Sequence, residues 1–159
     1  MGWRVLLGLG STLTEYNVTM AIEPLNRYET YFLNTAGDTV ALCQEVNHPK
    51  VGMLFDTYYA NIEEKHVGDA VRQSEPYLRH VHTRENDRGI PGSGHVDWHS
   101  VFSALRDVHY DGWLTIEGFG FSLGALSSAA SIWRDLSPTS GAIAFDDVKS
   151  LKAQLKLDR

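Results

Sequence analysis

Four residues able to hold a metal each stand at the end of a short candidate strand. Glu23 follows 18–22, Asp56 follows 51–55, His82 closes 78–82 and Glu117 follows 112–116. They are separated by 33, 26 and 35 residues. A closed eightfold barrel of alternating strands and helices, at about 250 residues, repeats every ~31 residues. The spacing therefore fits one ligand per strand–helix unit, each at the carboxyl end of a parallel strand, where such barrels carry their chemistry. Three carboxylates and one imidazole form an oxygen-rich, moderately hard set, suited to Mn2+, Mg2+ or Co2+ rather than to structural zinc. An acidic residue after a strand is also a common helix N-cap. That alternative serves for any one of the four and less well for all of them at barrel spacing.

The elements that must position these side chains alternate along the chain. Strands are expected at 18–22, 51–55, 78–82 and 112–116, all but 78–82 largely apolar, as in a parallel sheet covered on both faces. Helices are expected at 38–46, 62–74, 98–108, 123–136 and 145–157. The clearest is 98–108, with Val101, Phe102, Leu105 and Val108 at helical spacing. Glu63 and Glu64 are placed near the positive end of the second helix. Turns are signalled by Asn47-His48-Pro49, Tyr110-Asp111-Gly112 and the glycine-rich loop 84–97. Strand–helix alternation of this kind gives right-handed crossovers and a parallel sheet. Residues 1–17, punctuated by Gly8, Gly10 and Thr12, match no element clearly. The chain thus divides into an N-terminal segment, 1–17, a half-barrel over 18–137 and a C-terminal helix within 138–159.

Composition narrows the class of partner. The 159 residues carry 14 Lys plus Arg against 20 Asp plus Glu, a net charge of −6, with 43% hydrophobic residues. This is ordinary globular composition for one domain, and the acidic balance argues against a nucleic-acid partner. Cys43 is the only cysteine, so no intrachain disulfide or multi-thiolate metal site forms. No apolar run approaches the ~20 residues of a membrane helix, and a cytoplasmic protein is the expectation.

Several ordered segments carry a family resemblance. Ile22-Glu23-Pro24-Leu25-Asn26-Arg27, Asp56-Thr57-Tyr58-Tyr59-Ala60-Asn61-Ile62-Glu63-Glu64 and His80-Val81-His82, followed by Glu85-Asn86-Asp87-Arg88-Gly89, resemble ketose 3-epimerases. So do Pro91-Gly92-Ser93-Gly94 with Trp98, and Asp111-Gly112-Trp113-Leu114-Thr115-Ile116-Glu117. That group includes the D-tagatose and D-psicose 3-epimerases among the xylose isomerase-like TIM barrels. The resemblance implies an α/β fold, the C-terminal half of a (β/α)8 barrel holding strands five to eight. It implies that Glu23, Asp56, His82 and Glu117 hold a divalent metal, Mn2+ first, with Mg2+ and Co2+ as alternatives. It makes Glu23 and Glu117 the catalytic acid/base pair at carbon 3 of a ketose. Glu29, Tyr59 and Arg88 fall on substrate-binding positions.

Two departures stand out. Tyr59 occupies a position where the family typically has a substrate-contacting His. About four strand–helix units upstream of these motifs are missing, and residues 1–17 resemble no first half. Half a barrel leaves two unpaired strand edges and an open interior, so two copies are expected to close one barrel as a homodimer. Other outcomes are a related sugar isomerisation (aldose–ketose or hydroxypyruvate), or a catalytically silent fragment that binds metal or a partner. Abasic-site DNA cleavage is disfavoured by charge. Gly120-Phe121-Ser122-Leu123-Gly124 fits a nucleophile elbow, but no His follows Ser122. His80 shares a strand face with His82 and reads as packing rather than ligand. His95 and His99 read as exposed. Trp98 and Trp113 read as core anchors, Trp98 with the option of roofing a pocket.

Overall fold

The computed structural model describes residues 2–119, 124–136 and 139–157. Helix α1 (Gly2–Glu15) leads into β1 (Met20–Ile22), and α2 (Ala36–Val46) crosses to β2 (Val51–Asp56). Two short helices, α3 (Thr57–Glu63) and α4 (Val67–Ser74), precede β3 (Leu78–Thr83), and α5 (Trp98–Asp107) precedes β4 (Leu114–Ile116). Helices α6 (Ala125–Ala129) and α7 (Ser140–Leu157) follow. The strands lie in the order β1-β2-β3-β4, and every neighbouring pair is parallel. Sequential parallel strands joined by helical crossovers make an arc of a (β/α) barrel. All four expected strands are present within two residues of their expected bounds.

One face of the arc is the core. Met53, Phe55, Leu78 and Val81 bury against Val40, Val71, Val101, Phe102 and Leu105 of the helices. Each such side chain contributes about 1.5–3 kcal/mol of burial. The opposite face is open: Leu54 and His80 are only half-buried, and Arg79 and Thr115 are exposed. The apolar strands thus have one helix-covered face, not the two that the sequence suggested. Trp113, expected in the core, is 80% exposed, whereas Trp98 is buried. Strands β1 and β4 each keep one edge without a strand partner among the described residues.

Three segments differ from expectation. Residues 2–15 form α1, because Leu13 and Leu6 pack on Cys43, Val46 and Val51. Gly10 brings α1 against the His48 ring, which a Cβ there would meet at 2.9 Å. Tertiary packing overrides the poor helix propensity of the glycines. The helix expected at 62–74 is two helices. Glu63 pairs with Arg27 at 2.9 Å, and Glu64 Oε1 accepts the Ala36 N–H at 2.8 Å, which caps α2. These ties draw the chain into extended geometry at Glu64 (φ −95°, ψ 142°), so both acids end α3 instead of starting a helix. Helix α6 stops early, at a left-handed Ser131 (φ 58°). Among the described residues no helix is long and apolar enough to cross a membrane.

Candidate metal centre

The register of the sheet sets the strand ends side by side: Asp56 pairs with His82, and His82 with Thr115, two residues before Glu117. Glu23, Asp56, His82 and Glu117 each offer one ligand atom within 4.8 Å of the others. His82 Nδ1 is 3.0 Å from Glu117 Oε2 and 3.6 Å from both Glu23 Oε1 and Asp56 Oδ2. Close as these are, Glu23 Oε1 and His82 Nδ1 are buried with no aligned hydrogen-bond partner among the described residues. Unsatisfied buried polar atoms are costly. A shared divalent cation would satisfy both at once, and a hard oxygen-rich set with one imidazole fits Mn2+, Mg2+ or Co2+.

The residues' electrostatics follow from this crowding. Asp56 first, then Glu117 and Glu23, hold the His82 proton up to about 11 against the opposing effect of burial. His82 in turn, aided by Arg84 and Arg88, keeps Glu117 below the usual carboxylate range although burial works the other way. Asp56 serves two purposes. Its Oδ1 accepts the Tyr58 N–H at 2.8 Å and caps α3, while Oδ2 faces the cluster. Helix-capping and cation-facing roles are therefore compatible in one carboxylate.

Beside the cluster lie the three expected substrate residues, also in mutual contact. Glu29 Oε1 accepts from Arg88 Nη2 at 2.8 Å and from Asn26 Nδ2 at 3.0 Å, and Glu29 Oε2 accepts from the Tyr59 hydroxyl at 3.3 Å. Arg88 has φ 67°, a left-handed conformation uncommon for a non-glycine residue, at a turn closed by its N–H to Glu85 O. Its guanidinium lies 4.3 Å from the Tyr58 ring centroid. Burial pushes the Tyr59 hydroxyl up to about 12, which keeps it a hydrogen-bond donor.

Two residues that the sequence reading did not single out organise this rim. Arg84 is 1% exposed, and its Nη1 lies 2.8 Å from both Asp56 Oδ2 and Glu117 Oε2. A signal existed: His80, His82 and Arg84 are two residues apart, and strand alternation puts them on one face. Glu85, fully buried, shapes the loop 84–97. Its Oε1 accepts from Asn86 N and Val96 N, and its Oε2 from Gly92 N and Trp98 Nε1. Those bonds outweigh burial and hold its carboxyl below the usual range. A Cβ on Gly94 would collide with Asn86 Oδ1 and lie 2.7 Å from Glu85 Oε1, so this loop needs glycine there.

His80 meets the His82 ring edge-on at 5.2 Å and stands outside the four-residue cluster. Burial first, then His82, lowers its pKa. His95 and His99 are exposed. Trp98 sits in the core, with its indole N–H on Glu85. Ser122 of the elbow-like motif lies outside the described residues.

Residues 4–148 match the family described as xylose isomerase-like TIM barrel, and the chain belongs to that family. It is 39% identical over 144 residues to a probable ketose 3-epimerase of Synechocystis sp., covering 91% of this chain and 50% of that protein. It is 40% identical over 130 residues to D-psicose 3-epimerase of Agrobacterium fabrum, covering 82% of this chain and 45% of the relative. A crystal structure of D-psicose 3-epimerase in the presence of D-fructose superposes with TM-score 0.89 at 36% identity, over 98% of this chain and 54% of that one. The chain spans about half the length of the curated relatives it matches. The fold is accordingly an α/β half-barrel.

Proposed function

We propose that this half-barrel acts as a metal-dependent sugar epimerase that inverts carbon 3 of a ketose. The observation that carries the reading is the convergence of Glu23, Asp56, His82 and Glu117 on one point, with Glu23 Oε1 and His82 Nδ1 buried and, among the described residues, lacking an aligned hydrogen bond. A divalent cation held by these four, Mn2+ first, would supply Lewis-acid stabilisation of the negative charge that develops when carbon 3 loses its proton. Glu117, kept ionised by His82 and its neighbouring arginines, is ready to accept that proton. Glu23 is the partner that returns a proton from the opposite side, and the pair exchange roles in the reverse direction. Tyr59, Glu29 and Arg88 hold the sugar hydroxyls, with Tyr59 donating. The relatives named above, called ketose and D-psicose 3-epimerases, support the substrate class.

The barrel interior requires a second wall, and a second copy of this chain is our choice for it. The open face with Leu54, His80 and exposed Trp113, and the two strand edges without partners among the described residues, support a dimer that closes one barrel. A cytoplasmic setting suits a chain whose single cysteine, Cys43, is buried and free. Spanning half a relative's length also supports a second reading, a fragment that binds metal without turnover. Proton exchange at carbon 3 of fructose, tagatose and psicose in heavy water with added Mn2+ separates the two. Exchange in the wild type and its loss in Glu117→Gln are expected. No exchange with any of the three sugars in a dimeric sample contradicts the epimerase reading, and sedimentation as a monomer at micromolar concentration contradicts the dimer.

A further inference from the structure

The cluster contains a positive charge of its own. Arg84 Nη1 lies 2.8 Å from Asp56 Oδ2 and 2.8 Å from Glu117 Oε2. These are the same two oxygens that face His82 Nδ1, at 3.6 and 3.0 Å. They are therefore two of the atoms that would ligate a cation. The guanidinium is enclosed by the rings of Tyr58, Tyr59 and Phe119, with centroids at 5.2, 5.5 and 5.1 Å. Among the described residues, Arg84 Nε and Nη2 have no hydrogen-bond partner, and Asp56 and Glu117 are the carboxylates that face this buried charge. Backbone bonds pin the residue: Thr57 Oγ1 accepts the Arg84 N–H at 2.7 Å and donates to its carbonyl at 2.7 Å. Unlike His82, an arginine does not surrender its charge by losing a proton.

We propose that Arg84 is a built-in counter-cation that holds down the divalent-metal affinity of the Glu23–Asp56–His82–Glu117 centre. The proposal rests on the reading of that centre as a metal site. An entering cation draws on negative charge already committed to the guanidinium, and like charges a few ångströms apart in a partly buried site repel strongly. The Arg84–Asp56 pair is buried, so loosening it adds to the cost of metal entry. The arginine thereby favours a site that loads and unloads metal over one that retains it permanently. It also keeps three crowded carboxylates tolerable when no metal is bound.

The test is a Mn2+ titration of the dialysed protein and of the Arg84→Met and Arg84→Gln variants. Free Mn2+ is followed by electron paramagnetic resonance, and folding is checked by circular dichroism. Both variants should bind Mn2+ at least about tenfold more tightly than the wild type, equivalent to ~1.4 kcal/mol. Saturating Mn2+ should also raise their melting temperatures more than it raises that of the wild type. Affinity that is unchanged or weaker in the variants, with the wild type still binding, overturns the role of Arg84 alone. Failure of wild type and folded variants alike to bind Mn2+ overturns the metal centre. If the variants do not fold, a crystal structure of the Mn2+-loaded wild type decides. Arg84 Nη1 should then lie beyond hydrogen-bond distance of at least one of the two oxygens, and retention of both contacts refutes the competition.

Discussion

Glu85→Gln is the substitution that most cleanly tests how the rim is built. Glu85 is fully buried and accepts two bonds at each carboxylate oxygen: Asn86 N at 3.0 Å and Val96 N at 2.9 Å on Oε1, Gly92 N at 2.7 Å and Trp98 Nε1 at 2.9 Å on Oε2. Glutamine has the same shape, but one oxygen becomes an NH2 group. Whichever way the amide turns, one buried donor and one partly buried donor then face a donor. An unsatisfied buried group costs about 1–3 kcal/mol and a partly exposed one less, so the loss should be about 2–4 kcal/mol. At ~2–4 °C per kcal/mol for a chain of this size, a central loss of ~3 kcal/mol lowers the melting temperature by roughly 6–12 °C. Calorimetry at one fixed protein concentration measures this, since association shifts apparent stability. The sign with pH is also set. The Glu85 carboxyl is depressed below its ordinary value of 4.5, so its contribution is present above that value and is lost as pH falls through the folded value. The gap between wild type and variant should therefore close in acid. A loss below ~1 kcal/mol at neutral pH refutes the view that this carboxylate organises the loop.

Gly94→Ala should destabilise the same loop by about 1–3 kcal/mol, because the added Cβ collides with Asn86 Oδ1 beside Glu85; an unchanged melting curve contradicts it. Mn2+ binding at pH 7.5 should release about one proton per chain, because the raised pKa of His82, about 11, keeps it protonated until a cation replaces the proton. Calorimetric titration in two buffers of different ionisation enthalpy reads that number, and buffer-independent heats contradict it. In the metal-free protein, the raised His82 contributes stability that is fully present below pH 6.5 and lost as pH rises toward 11. Melting temperatures between pH 7 and 10 should accordingly fall without metal.

The clustering of the four candidate ligands was legible because they stand at strand ends, and strand ends in a parallel arc are neighbours by construction. Glu23, Asp56, His82 and Glu117 could be named from spacing, and family likeness added Glu29, Tyr59 and Arg88. Arg84 and Glu85 were hidden for opposite reasons. Arg84 looks like an ordinary loop cation until β3 is seen to continue its alternation through residue 83. Glu85 accepts three of its four bonds from backbone N–H groups, which leave no trace in residue types. The break between α3 and α4 was unreadable because it depends on Arg27 and the Ala36 N–H, which lie 36 and 28 residues away from their carboxylate partners. Helix α1 was obscured by its glycines, one of which sits where His48 approaches. Trp113 misled because burial depends on which face the helices cover, and strand composition does not reveal that the other face is open.

Four side chains at the ends of four strands are proposed to share one cation. Equilibrium dialysis of the purified protein against Mn2+ measures this directly. One ion should bind per chain, and the Glu23→Ala/Asp56→Ala double variant, still folded by circular dichroism, should bind none. Saturable binding that survives in the double variant, or no saturable binding in the wild type, contradicts it.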